Sequence, residues 1–440
     1  MSQTLSKKTA SIYLLFTRYV SQNILGMIGL SAYVLADTFF ISQAEGSRGI
    51  AALNLVLPVY SLIFAIGAMI GSGSATRFKI HRARQEDCAD LYFSNAISFA
   101  LLFSLIFMAV GICIPDKLVA LLGGNEEIVA VGTSYTRIFM SFAPFFMWNH
   151  IFNAFVRNDN APSLAMAATL FSSLFNIVMD YILMFPLKMG MKGASLATAI
   201  SPIVGILICS LHFLSRQNSI RFCIMRPSIR RLIQSCQLGV AAFVGEISSG
   251  VITMVFNFLI LGLAGNIGVA AYGVVANTAI VATSVFNGVA QGSQPLLSDF
   301  YGKGSKKSVK KVFFLSAGTA LVLSVLVLMF ANLSAETITA IFNQEQNEQM
   351  ATYAVAGMKL YFIGYLFAGF NIIGTGFLSA TEKATWAFVT SVLRGFVAII
   401  IFAFFLSALF GMTGVWLAFP ASECLTAIVM CVAIYRSHSF

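Results

Sequence analysis

The chain has 440 residues, of which 58% are hydrophobic and only 10% charged. A soluble fold of this size needs about a quarter of its residues charged to cover its surface, which excludes a water-soluble enzyme or binding domain. The net charge of +10 does not signal nucleic acid, because the Lys and Arg lie in short segments between apolar runs, where membrane orientation accounts for them.

A membrane-spanning helix needs about 20 mostly apolar residues. Taken in order, the first half predicts spans at 13–40, 50–75, 91–114, 129–155, 161–186 and 193–214. The second half predicts spans at 236–264, 268–298, 312–333, 353–379, 384–410 and 414–435. The first run follows Lys7 and Lys8 and reaches full span length, so it reads as a helix and not as a cleavable signal. With the N-terminus inside, twenty of the 27 Lys and Arg fall in segments on the same side of the membrane as it, chiefly in 77–84, 216–231 and 303–311. Only Arg48, Lys117, Lys188 and Lys192 lie on the far side, which instead carries Asp116, Glu126, Glu127, Glu336, Glu345 and Glu348. Positive residues stay inside, so both termini are expected in the cytoplasm. The seven cysteines form no CxxC pair and show no ligand spacing with the four histidines. They read as small apolar residues, not as disulfides or zinc ligands.

The two halves echo one another about 220 residues apart. Gly190-Met191-Lys192-Gly193 returns as Gly411-Met412-Thr413-Gly414, Ala51-Ala52 as Ala270-Ala271, Arg137 as Lys359 and Phe155 as Phe377. Six spans per half is an even number, so both halves enter the membrane the same way and are expected to be related by an axis along its normal. The fold class is therefore all-α integral membrane: twelve transmembrane helices in two pseudo-symmetric six-helix lobes. The expected division is an N-lobe at 1–215, a cytoplasmic linker at 216–235 and a C-lobe at 236–440. Repeats of this kind recur in transporters.

An ionisable residue in the bilayer core costs about 2.5–3.5 kcal/mol on insertion scales, so each one needs a reason. Asp37, Asp180, Glu246 and Glu423 are the acidic residues inside spans, and Arg137, Lys359 and Arg394 the basic ones. Asp37 and Asp180 fall at similar depth in the outer part of the first and fifth spans, and Asn176 shares a helix face with Asp180. Such a pair can hold a shared proton or a Na+; as purely structural residues, the two would be an interfacial group and a helix–helix anchor. Glu246, in the inner part of the seventh span, reads either as a second cation or cationic-substrate site or as an interhelical hydrogen bond. Arg394 and Glu423, on the last two spans, are expected to form a structural ion pair. Arg137 and Lys359 are expected to snorkel. No Walker A, GxSxG or HExxH pattern occurs, so the chain is not expected to be an enzyme.

Several ordered stretches resemble the multidrug and toxic compound extrusion (MATE) family. They are Ala36-Asp37-Thr38-Phe39-Phe40-Ile41, Gly49-Ile50-Ala51-Ala52-Leu53 with Pro58, Asn153-Ala154-Phe155-Val156-Arg157, and Asn176 with Asp180. In the second half, Val269-Ala270-Ala271-Tyr272-Gly273 and Gly288-Val289-Ala290-Gln291-Gly292-Ser293-Gln294-Pro295 continue the likeness, which covers nearly the whole chain. The chain looks nearest to the prokaryotic branch related to the DNA-damage-inducible type. The resemblance implies two lobes in a V and a monomer in the bacterial inner membrane, in contact with membrane lipids. It also implies alternating-access export of small organic, mostly cationic compounds in exchange for H+ or Na+, with no cofactor. Carried over by position, the coupling site would be Asp37, Asn153, Asn176, Asp180 and Thr198, with the two aspartates as metal ligands if the ion is Na+. A lipid-linked oligosaccharide flippase of the same superfamily is the alternative. Unlike many relatives, residues 13–36 contain no proline, only Gly26 and Gly29.

Overall fold

The computed structural model describes residues 2–123, 126–224, 226–343 and 346–437, apart from the side chains of 2–10, 47, 48, 50, 51, 127 and 131. Lys7, Lys8, Arg48, Ile50, Ala51 and Glu127, named above for their side chains, and Glu345 lie outside that description. In a bilayer every backbone polar group must be satisfied within its own segment, which leaves helices as the solution for apolar runs of this length. All regular structure among the described residues is helical.

The run Ser2–Ala83 is broken only at Gly46, giving α1 (2–45) and α2 (47–83). Then come α3 (Ala89–Cys113), a short helix Pro115–Leu121, and α4 (126–158), whose two pieces meet at Phe142 just before Pro144. Helices α5 (Pro162–Met184) and α6 (Met191–Ser210) complete the first half. The run Ile229–Gly302 breaks at Gly265 into α7 (229–264) and α8 (266–302). It is followed by α9 (Lys306–Phe342) and α10 (348–380), the latter interrupted by a 3-10 turn at Phe362–Gly364. The last two, α11 (384–410) and α12 (412–436), separate at Gly411. All twelve expected helices are present. α7 starts at Ile229, earlier than its apolar pattern suggests, and Glu246 lies near the middle of this helix.

The repeat is written in the backbone as well as in the residues. Gly46 and Gly265 share φ near 60° with strongly negative ψ, and Gly190 and Gly411 share φ of 54° and 56°. Only glycine enters that region without a Cβ clash, so equivalent turns in the two halves are made by equivalent glycines.

The chain forms two compact units. One gathers Leu25–Ile247 with Gly302–Gly304; the other takes the residues up to Ile24, Ser248–Tyr301 and the chain from Ser305 onward. In the first, Tyr60, Phe139 and Phe146 stack in the core, with Tyr60 and Phe139 ring centroids 3.7 Å apart. In the second, Tyr361 lies flat on Phe419 at 4.3 Å, and Tyr272 stacks between Phe256 and Trp416. Gly26 and Gly29 of α1 face Met166, Thr169 and Leu170 of α5, and α1 runs unbroken from 2 to 45.

Within the first unit, α2 and the start of α7 cross backbone to backbone. A Cβ on Gly73 would overlap the Ser235 carbonyl, and one on Gly239 would overlap that of Met69. Small residues drive helix association in membranes by permitting this approach. Gly73→Ala is therefore expected to cost about 1–3 kcal/mol and to reduce the folded fraction recovered by size-exclusion chromatography. Gly318→Ala, where an added methyl meets nothing within 4 Å, is expected to behave as wild type. Equal recovery of both variants would mean that the crossing tolerates separation.

Candidate functional site

Asp37 stands two turns before the Gly46 break that ends α1, and Asn176 and Asp180 are one turn apart on α5, so both projections are set by helical spacing alone. Burial is nearly complete: Asp37 is 9% exposed, Asn176 1% and Asp180 0%. The Asp37 and Asp180 carboxyls lie within hydrogen-bond reach of one another. Asp37 Oδ1, both carboxylate oxygens of Asp180 and Asn176 Oδ1 find no donor among the described residues. Asn176 Nδ2 donates to Thr198 Oγ1 of α6 at 3.4 Å.

Two tyrosines complete the cluster. Tyr33, one turn before Asp37, and Tyr135 of α4 are both close enough to feel the charge of the two aspartates. Tyr135 also lies within hydrogen-bond reach of Thr198 and stacks on Tyr60 at 5.6 Å. Neither tyrosine was singled out from the sequence, because aromatic residues are ordinary in spans. The four-residue spacing of Tyr33 and Asp37 was the one local signal. A pocket of carboxylate, amide and hydroxyl oxygens with acceptors in excess lacks a positive charge, and a proton or a hard cation with oxygen coordination supplies one.

Asn153 faces other partners. Its Nδ2 donates to Ala165 O at 3.1 Å and Thr169 Oγ1 at 2.9 Å, and its Oδ1 accepts from Arg157 at 3.4 Å. Thr169 lies about 16 Å along α5 from Asp180 at 1.5 Å per residue, so the Asn153 amide ties α4 to α5 and does not join the carboxylates. Glu246 is exposed and near Tyr33. Arg137 and Lys359 are both exposed.

Arg394 and Glu423 form an ion pair. Arg394 Nε donates to Glu423 Oε1 at 2.8 Å, Asn371 Nδ2 donates to Oε2 at 2.7 Å, and Glu423 is 1% exposed. Arg394 lies in a π-helical turn at Leu393–Val397, a widened turn of a kind frequent at functional positions.

The segment between α6 and α7 is stitched to the first unit. The backbone N–H groups of Ser219, Arg221, Cys223 and Ser228 donate to Asp159, Asp90, Ser94 and Asn95 at 2.7–3.2 Å. Asp159 also accepts from His212 Nε2 at 2.8 Å, both side chains being buried. Side chains of α3 and of the turn between α4 and α5 thus satisfy these four backbone donors.

A family model described as MatE matches residues 23–182 and 241–405. The Multidrug export protein MepA of Staphylococcus aureus (strain MRSA252) is 28% identical over 409 residues, 92% of this chain and 89% of its own length. MepA of Staphylococcus saprophyticus is 26% identical over 407 residues with the same coverage. Among solved structures, an outward-facing multidrug resistance MATE family transporter of the MOP superfamily is similar with a TM-score of 0.87 at 20% identity, over 96% of this chain and 95% of that one. A MOP superfamily transporter from Pyrococcus furiosus Vc1 (DSM3638), in which reverse polarity of the binding pocket is reported to suggest a different function, is similar with a TM-score of 0.88 at 19% identity and the same coverage. At these identities the structures establish the fold.

Proposed function

This chain belongs to the MatE family of transporters, and from that premise we propose that it exports amphipathic, mostly cationic organic compounds from a bacterial cytoplasm in exchange for H+ or Na+ bound at Asp37 and Asp180. The observation that carries the reading is the buried carboxyl pair, of whose four oxygens three, Asp37 Oδ1 and both of Asp180, meet no donor among the described residues. The multidrug export activity named for MepA supports the substrate class.

The cation enters from outside, settles between the two carboxyls, and draws α1 and α5 together through charges that otherwise repel. Exchange follows if substrate and cation favour different states of the protein, each weakening the other's binding to the same degree. Asn176, Thr198 and Tyr135 supply the remaining oxygens, and Tyr33 shields the pair. One cation moving inward down 100 mV supplies about 2.3 kcal/mol, enough for about a 50-fold gradient of a neutral substrate. For a monovalent cationic substrate exchanged one for one, the potential cancels and only the ion gradient drives export. The proposed orientation places both termini in the cytoplasm, and the proposed working unit is a monomer. The flippase alternative is not favoured: Arg394, one of three basic residues in spans, is committed to Glu423.

The test is efflux of ethidium from proteoliposomes under an imposed H+ gradient, an imposed Na+ gradient, or neither. Efflux driven by one gradient and not the other is expected and names the ion. Dye that moves under neither gradient would sink the exchange reading.

A further inference from the structure

Where α2 ends, the chain makes a Schellman-type turn. Gln85 adopts φ of 60°, its N–H bonds to Arg82 O at 3.1 Å, and the Glu86 N–H reaches back to His81 O at 3.0 Å. The reversal lays the Glu86 carboxyl against the His81 ring, Nδ1 to Oε2 2.5 Å. It also brings in Cys88, the residue preceding α3, whose Sγ lies 3.6 Å from His81 Nδ1 and 3.7 Å from Glu86 Oε2. One nitrogen, one oxygen and one sulfur thus lie within 4.8 Å of each other. Tyr92 fixes the imidazole plane by stacking on it at 5.1 Å and 14°. The His81 Nε2 is buried and bonded to none of the described residues, which leaves Nδ1 as the nitrogen facing Glu86 and Cys88.

We propose that His81, Glu86 and Cys88 form a binding site for a borderline divalent metal ion of the zinc class, on the turn between α2 and α3. Zinc takes nitrogen, oxygen and thiolate ligands at about 2.0–2.3 Å in tetrahedral sites, which sets its ligand atoms about 3.3–3.6 Å apart. The sulfur-to-nitrogen separation of 3.6 Å falls in that range, and the sulfur-to-oxygen separation of 3.7 Å lies just above it. The short nitrogen-to-oxygen separation opens when the ion takes the place of the His81–Glu86 hydrogen bond. A water or the second Glu86 oxygen fills the fourth position. A bound ion displaces the Cys88 thiol proton, as metal coordination does. Glutamate and thiolate together cancel the charge of a divalent ion, so occupation adds no net positive charge beside Arg84 and Arg231. A bound ion ties the end of α2 to the start of α3 and makes the turn rigid. The site is independent of the transport reading.

Purified full-length protein, reduced and in detergent, is titrated with Co2+. A thiolate-to-cobalt charge-transfer absorbance is expected to saturate at one ion per chain and to disappear on adding Zn2+. Cys88→Ser is expected to abolish it, and His81→Ala and Glu86→Gln to weaken binding about tenfold or more. Cys223→Ser, a cysteine elsewhere on the same side, is expected to leave it unchanged. No saturable absorbance, an absorbance that survives Cys88→Ser, or equal loss in Cys223→Ser would each overturn the site.

Discussion

Replacing either Asp37 or Asp180 with asparagine is expected to stop ion-driven efflux while leaving a folded protein. Both carboxyls are buried and face each other, so a cation between them is held by two charges in a medium of low dielectric. Taking away one charge of such a group costs about 3 kcal/mol or more, roughly a hundredfold in cation affinity. The fold responds differently. An asparagine at position 180 has nearly the same shape, and its amide can donate to the facing Asp37, whose Oδ1 meets no donor among the described residues. The thermal midpoint is therefore expected to stay level or rise. Initial rates of ethidium efflux in proteoliposomes, read beside the melting curve, separate the two effects. Transport at the wild-type rate in both variants would remove the aspartates from coupling, and lost transport with a much lower midpoint would make them structural.

The second large effect concerns α11 and α12. Glu423 accepts from Arg394 and Asn371 at once, so Glu423→Ala leaves the largely buried Arg394 guanidinium without its carboxylate, while the Asn371 amide keeps its bond to the backbone carbonyl of residue 423. Breaking one side of a buried pair costs about 3–5 kcal/mol, whereas replacing both sides with apolar residues of similar size is often close to neutral. Glu423→Ala is thus expected to lower the unfolding midpoint strongly, and the double variant Arg394→Met, Glu423→Leu to recover most of it. Chemical unfolding of the purified variants gives the coupling energy directly. If the double variant is as unstable as the single one, the pair acts through more than its mutual charge, and the π-helical turn at Leu393–Val397 becomes the place to look.

The local chain was enough to show the twelve helices and the repeat. A bilayer forces each apolar run to close its own hydrogen bonds, so length and hydropathy decide the element without reference to distant residues. Asp37, Asn176 and Asp180 were legible for a related reason: polar side chains in apolar runs are costly wherever the partners are. Gly190 and Gly411 stood out as repeated letters, but their backbone conformation did not, nor did the breaks at Gly46 and Gly265.

What hydropathy could not show was which side chains meet. Tyr33 and Tyr135 join the carboxylates only because α1, α4, α5 and α6 are rotated toward one point, and Asn153 turns to Thr169 by the same packing. The meeting of His81, Glu86 and Cys88 depends on a left-handed turn at Gln85, a residue with no strong preference for it. Contacts between residues far apart in the chain, and turns that depend on a single torsion, are decided by helix crossing and packing. The sequence by itself determined the span pattern and where polar groups had to be explained; tertiary packing alone decided their partners, because a side chain's partner is set by the rotation and crossing of whole helices and not by its neighbours in the chain.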